Sequence, residues 1–351
     1  GQPLYSTQTK WAWDGKISIR NDIRRRFIGG DLATFPAGVE GGVPYKYRRD
    51  LVSGHFEVVR SFGSEVKNDA MVGFGASRNV YRAPSELAAA TPEVQKAFIT
   101  QVMPVSDTQI GPYFELHSHI NRYLTLLDFN TLGLQEDFIA GHDAYLRLTP
   151  VFTALGSSRN FLGVYGSLAY TFPMGDGLTR FFIETHNELS PQGGVPDGSV
   201  ELGVRVASPR TAAGRLHFDA RFLDRYANYL NAKSTLGGDT RPRGYASSAF
   251  QGKDFVAASL EFRSRAAQIL GCQLAGAAAE TAMQHAAEKH SGTDAVAQPQ
   301  VHEVAGDRTR GPLGQRGQVD VVLDGDVEAR SGGDQRPRPL QRPSGQRVGV
   351  R

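Results

Sequence analysis

The chain has 351 residues and a formal net charge of +3, a balance too small to argue for a nucleic-acid partner. Its mean hydropathy of -0.34, with no run of about 18 apolar residues, excludes a bundle of membrane helices; it does not exclude membrane strands, half of whose side chains face water. The single cysteine, Cys272, excludes an internal disulfide and is compatible with the periplasm or the outer membrane.

A strand whose two faces meet different media alternates apolar and polar residues with period two. In chain order the alternation picks out Gln2 to Trp13, Lys16 to Phe27, His55 to Phe62, Val66 to Arg78, Gln109 to about Leu124 and His142 to Leu155. It continues through Asn160 to Phe172, Leu178 to Glu188, Val200 to Val206, Arg215 to Phe222, Asp254 to Arg263 and Ala267 to about Leu274. Two of these segments are clean. Val200, Leu202, Val204 and Val206 share a face opposite Glu201, Gly203 and Arg205, and Leu216, Phe218, Ala220 and Phe222 share one opposite Arg215, His217, Asp219 and Arg221. A soluble sandwich buries its apolar faces against a second sheet and seldom carries such dense mixed charge on the others. A water-filled barrel accommodates it, so Glu201, Arg205, Arg215, His217, Asp219 and Arg221 are expected to face a lumen. The predicted fold is all-β: a transmembrane antiparallel β-barrel over residues 1–276, with about twelve strands visible and an incomplete or open wall.

Barrels of this kind alternate short turns at one end with long loops at the other. Short connections are predicted at Asp14-Gly15, Gly63 to Glu65, Pro173 to Gly177 and Pro209 to Gly214. Long ones are predicted at Gly29 to Gly54, Asn79 to Thr108, Leu189 to Pro196 and Tyr229 to Lys253. The alternation holds only if Thr125 to Gly141 lies on the short-turn side, as a turn or plug despite its apolar Leu126, Leu127 and Phe129. Within the second long loop, Thr91 caps a short helix with Pro92 in its first position and Glu93 at the positive end of its dipole. That helix reads as a surface decoration.

No aromatic residue follows Phe262. From about residue 277 the composition shifts to Ala, Gly, Gln, Asp, Arg, Val and Pro without a period, which cannot bury enough apolar area to offset the entropy of ordering. A disordered tail over 277–351 is expected, with a short helix at Ala277 to Lys289 where helix-favouring residues cluster. The change is abrupt enough to suggest a shifted reading frame; a genuine charged tail is the alternative.

The segment after Leu230 carries a double glycine, Gly237-Gly238, then Arg243-Gly244-Tyr245, then a strand bearing the acid Glu261. Glycines let such a loop fold tightly back on itself, and a guanidinium offers a planar fork to a carboxylate. This pattern resembles the sixth extracellular loop and following strand of the BamA/TamA-type assembly barrels, the bacterial surface antigen family. The resemblance implies a barrel of about sixteen strands whose loop turns into the lumen, where Arg243 pairs with Glu261. It implies that outer-membrane proteins are inserted or exported through a lateral strand seam, without enzymatic activity and without a cofactor. The implied partners are outer-membrane lipid, unfolded outer-membrane protein clients and accessory periplasmic or lipoprotein subunits, with no nucleic acid. The family also carries periplasmic repeats before the barrel and further aromatic strands after it, so a fragment truncated at both ends is expected. Pro242 departs from the aliphatic residue usual in the family and restricts Thr240-Arg241.

A passive pore or solute receptor barrel remains the alternative function, and a soluble β-sandwich binding module a third. Catalytic constellations fare less well. His117 and His119 share a strand face from which Ser118 points away, and His217 with Asp219 reads as part of a charged lumen row. A metal on His117 and His119 lacks an evident third ligand, so no metal site is expected. No Gly-rich phosphate loop follows a strand.

Overall fold

Ten long strands, each hydrogen-bonded to its neighbour in sequence, run up and down one antiparallel sheet. They are β1 (Trp11–Arg25), β2 (Lys46–Phe62), β3 (Val66–Arg82), β4 (Asp107–Ile120), β5 (Gly141–Val151), β6 (Phe161–Met174), β7 (Gly177–Leu189), β8 (Asp197–Ala207), β9 (Gly214–Asn228) and β10 (Asp254–Ser264). The backbone continues into β11 (Ala277–Ala286) and β12 (Gln300–Val304) on the far edge. The computed structural model describes residues 1–6, 8–28, 30–37, 41–127, 129, 134–237 and 250–265, and the backbone of 267–269, 272–274, 277–286 and 300–304.

Sequential pairing follows from the short turns, which return the chain beside the strand it has just left. At the turn after β2, Gly63 takes φ +80, and a Cβ there would lie 2.0 Å from the Val66 carbonyl oxygen, so only glycine fits. The turns at 63–65, 175–176 and 208–213 fall at one end, and the long connections 26–45, 83–106 and 229–253 at the other.

The sheet is rolled. The connection after β3 meets the connection after β9, several strands away: Val105 N donates to Leu230 O at 2.8 Å, and Asn231 Nδ2 to Met103 O at 2.9 Å. Rolling stops short of closure. Among the described residues β1 pairs with β2 on one side, and its other edge carries a single bridge, Gln2 to Trp13.

Several expectations change here. Asp14-Gly15 is not a turn. Both residues lie inside β1, opposite Glu57 and Phe56, because 15 consecutive residue pairs with β2 outweigh a local turn propensity. Gln2–Trp13 and Lys16–Phe27 are therefore one strand plus a short lead-in, which leaves nine strands before the long 229–253 connection. Ala267–Leu274 is a small hairpin, Ala267–Ile269 with Cys272–Leu274, rather than one strand. Ala277–Ala286 is β11, paired along β10, where a helix was expected; an unpaired strand edge supplies hydrogen-bond partners that helix propensity cannot match. Residues 287–299 and 305–351 of the expected tail lie outside the described residues.

Among the described residues, the two buried apolar clusters sit at the two ends. At the long-loop end, the helix α1 (Pro92–Gln101) starts as its sequence requires, with Thr91 Oγ1 accepting from Val94 N and Pro92 in the first turn. It is more than a surface decoration. Phe98 is fully buried among Val43, Tyr45, Tyr47, Leu87 and Val102, with its ring edge-on to Phe35 at 5.7 Å. An exposed ion pair flanks this cap: Lys46 Nζ lies 2.6 Å from Glu86 and holds that carboxyl down at about 2. At the short-turn end, Leu126 and Phe129 pack on Leu178 and Ala207, so the paired strands Tyr123–Leu127 and Gln135–Ile139 fold as a hairpin onto the concave face.

Truncating Phe98 to Ala removes the centre of the cap and is expected to destabilise it by about 3 kcal/mol. Limited proteolysis within residues 83–106 should then accelerate on the order of a hundredfold, since about 1.4 kcal/mol is a factor of ten. The strands pair along their backbones independently of the cap, so the far-UV circular dichroism of the sheet should not change.

Candidate functional site

The two faces of the sheet differ sharply in polarity. Facing outward and exposed are Ile17, Ile19, Phe56, Val72, Phe74, Leu116, Leu168, Phe181, Ile183, Leu202, Phe222 and Leu260, spread over nearly every strand. Facing inward and buried are Arg49, Glu57, Lys67, Asp69, Glu115, His119, Glu188, Asp197, Arg215 and Arg263. The concave polar wall is the candidate site.

Its charges are tied together across strands in three groups. In the first, the Tyr113 hydroxyl donates to Glu57 at 2.9 Å, Tyr145 and Arg147 both bond Glu115, and the Arg147 guanidinium lies 4.7 Å over the Tyr113 ring. Nearby, Asp143 accepts from His117 Nε2 at 2.9 Å and from Arg180 at 3.1 Å. In the second group, Arg159 reaches both Glu188 and Asp107, joining the starts of β4 and β6 to the end of β7. The third is the expected row on β8 and β9: Arg221 bridges Glu201 at 3.1 Å and Asp219 at 3.0 Å, and Arg205 holds Asp219 at 2.8 Å.

The sequence placed Glu201, Arg205, Asp219 and Arg221 together, and the structure joins them. Arg215 and His217 have other duties. Arg215 donates to the carbonyl oxygens of Asp176 and Leu127, clamping a turn to the hairpin, and the His217 ring stands edge-on to Phe129 at 5.3 Å. Glu261 faces inward opposite His217 and takes a two-pronged bond from Arg263, at 2.7 and 2.9 Å. Of the loop motif, Gly237 is described with φ +121; Gly238, Arg243, Gly244 and Tyr245 lie outside the described residues.

Sequence reasoning missed the hairpin's grip on the wall. Arg210 Nη2 donates to Leu127 O at 2.7 Å, and the Arg263 guanidinium bonds Phe129 O. It also missed Asp69, which stands opposite His117 in the β3–β4 register. Knowing the register would have found it: the 83–106 connection conceals which β3 residue faces which β4 residue. His117 and His119 do share a face, with stacked rings 4.6 Å apart, while Ser118 points outward to His142 at 3.1 Å.

A buried ion pair adds little net stability, but removing one member leaves the other desolvated and unpaired, at a cost of about 3–5 kcal/mol. Arg159→Ala abandons two carboxylates, of which Glu188 has a side chain only 1% exposed. It should lower the urea midpoint of the folded chain by an amount corresponding to about 3 kcal/mol. Arg159→Lys keeps the charge without the planar fork and should restore only part of that loss. Comparison of the chain with protein-family models, with curated proteins and with solved structures finds no match.

Proposed function

We propose that the chain forms the wall of a β-barrel in the bacterial outer membrane, of the BamA/TamA assembly type, which inserts or exports other outer-membrane proteins through a lateral strand seam. The observation that carries the membrane assignment is the inversion of the sheet's faces. Ile17 is 84% exposed and Ile19 71% exposed on β1, while the Glu115 and Glu57 side chains are buried within the curl. In water that arrangement exposes apolar area and desolvates charge; against acyl chains with a wet interior both terms reverse.

A belt of aromatics marks where the lipid would end. Trp11, Trp13, Phe62, Tyr170, Phe172 and Phe262 point outward near the short-turn end, and Arg60 lies over the rings of both Trp11 and Phe62, at 4.7 and 5.4 Å. Amphipathic rings favour that interface, with a cation reaching past them to the headgroups. The open edge of β1 supports the seam. Its unpaired N–H and C=O groups can accept an incoming strand by β-augmentation, turning a liability into a template. Arg243, turned inward, would join Glu261 and Arg263 on the wall and fix the loop inside the lumen.

Both tryptophans of the chain, Trp11 and Trp13, lie on this belt. In chain refolded into liposomes, their emission should be quenched by lipids brominated near the headgroup more strongly than by lipids brominated at the chain ends. Dissolved iodide should have little effect. The converse pattern would place β1 in water and remove the membrane assignment.

For the lumen loop, Arg243→Ala should lower the urea midpoint in liposomes by about 3 kcal/mol and reduce assembly of a client barrel. Unchanged midpoint and unchanged assembly together would exclude the loop from the mechanism. Steady, solute-selective conductance in a planar bilayer would assign the wall to a passive pore or receptor instead.

A further inference from the structure

We propose that Asp69, His117 and His119 bind one divalent transition-metal ion of the Zn2+ class on the concave wall, beside the hairpin of Tyr123–Leu127 and Gln135–Ile139. One ligand atom from each of the three residues lies within 4.8 Å of the other two. Zn–N and Zn–O bonds of about 2.0–2.1 Å put tetrahedral ligands about 3.4 Å apart, so small side-chain rotations close the set.

Two features support the site. Asp69 Oδ1 and His119 Nδ1 are buried without a hydrogen-bond partner, in residues 8% and 9% exposed. Buried polar atoms are almost always paired, and a metal ion held by the three residues would supply a partner that these two lack. The wall's other carboxylates, Glu115, Glu188 and Asp219, have guanidinium partners.

The second feature is a ready outer shell. Asp143 Oδ1 lies 2.9 Å from His117 Nε2 and is itself held by Arg180. A carboxylate behind a histidine fixes its tautomer and orients the ring, leaving Nδ1 as the free lone pair. Two imidazoles and one carboxylate suit Zn2+, Co2+ or Ni2+ and leave a fourth position for water; Mg2+ and Ca2+ prefer oxygen sets. The ion would tie β3 to β4 directly and, through Asp143 and Arg180, to β5 and β7.

The full chain, refolded in detergent and stripped with chelator, should bind one Zn2+ by calorimetry with millimolar Mg2+ present. Co2+ should give the intense visible bands of four- or five-coordination. His119→Ala should abolish the bands, and the near-isosteric Asp69→Asn should shift them and weaken binding. Asp143→Asn should weaken Zn2+ binding by about 10–100-fold through the outer shell. His142→Ala, on the opposite face, should change nothing. Absence of saturable Zn2+ binding in the unaltered chain would overturn the site. So would octahedral Co2+ spectra, or equal affinity in His119→Ala, which would place the ion on another of the chain's histidines. The site stands on wall geometry alone, so failure of the assembly role would leave it intact, and its loss would leave that role intact.

Discussion

Charge turned into the concave face must be neutralised from within that face, and this requirement governs the rest of the structure. Glu115 finds Arg147 on β5, Asp143 finds Arg180 on β7 and Asp219 finds Arg205 on β8, while Glu188 is held by Arg159 from the 152–160 connection and Glu57 accepts from the Tyr113 hydroxyl on β4. Such cross-strand pairs act as register pins. A slip of one residue would send each carboxylate outward and each isoleucine or phenylalanine inward, breaking every pair at once. The curl follows from the same demand. Partners as distant as Arg263 on β10 and Phe129 after β4 meet only when the sheet bends toward its polar side.

How much of this was legible in the sequence depended on whether a residue's role is set by its own strand or by its neighbour's. Alternation alone exposed β8 and β9 and their Glu201, Arg205, Asp219 and Arg221, because both faces of one strand reveal which side is wet. The same rule failed where a strong local signal competed. Asp14-Gly15 has the composition of a tight hairpin, yet Gly15 sits in mid-strand where a Cβ would meet the Phe56 ring at 3.3 Å. The first half of β2 was hidden because Arg48 and Asp50 point outward beyond the apolar band, where alternation of polarity ends. Ala277–Ala286 has helix-forming residues and is a strand, since its conformation is decided by the open edge of β10. Asp69 could not be assigned a partner without the register across a 24-residue connection, residues 83–106.

The two ends of the curl are sealed by different means. The long-loop end is capped by apolar packing around Phe98, and the short-turn end by a hairpin held through backbone carbonyls at Leu127 and Phe129. A hairpin held through carbonyl oxygens by Arg210, Arg215 and Arg263 depends on three guanidinium groups from the turn after β8, β9 and β10. Those groups are permanently charged, so the attachment is insensitive to pH across the range in which carboxylates and histidines titrate.

The proposed lateral seam requires an open strand edge, and among the described residues β1 presents one. Interior strands hydrogen-bond on both sides, whereas among the described residues β1 does so along β2 only, apart from the Gln2 bridge. One of its cross-strand ion pairs, Asp14 with His55 at 3.0 Å, has side chains 39% and 27% exposed; the Glu115 side chain that binds Arg147 is 1% exposed. Exposed pairs contribute at most about 1 kcal/mol and are screened by salt, whereas breaking a desolvated pair costs several times that. In the proposed seam an incoming strand would add hydrogen bonds along the open edge of β1, and the rest of the sheet would keep its register while it did so.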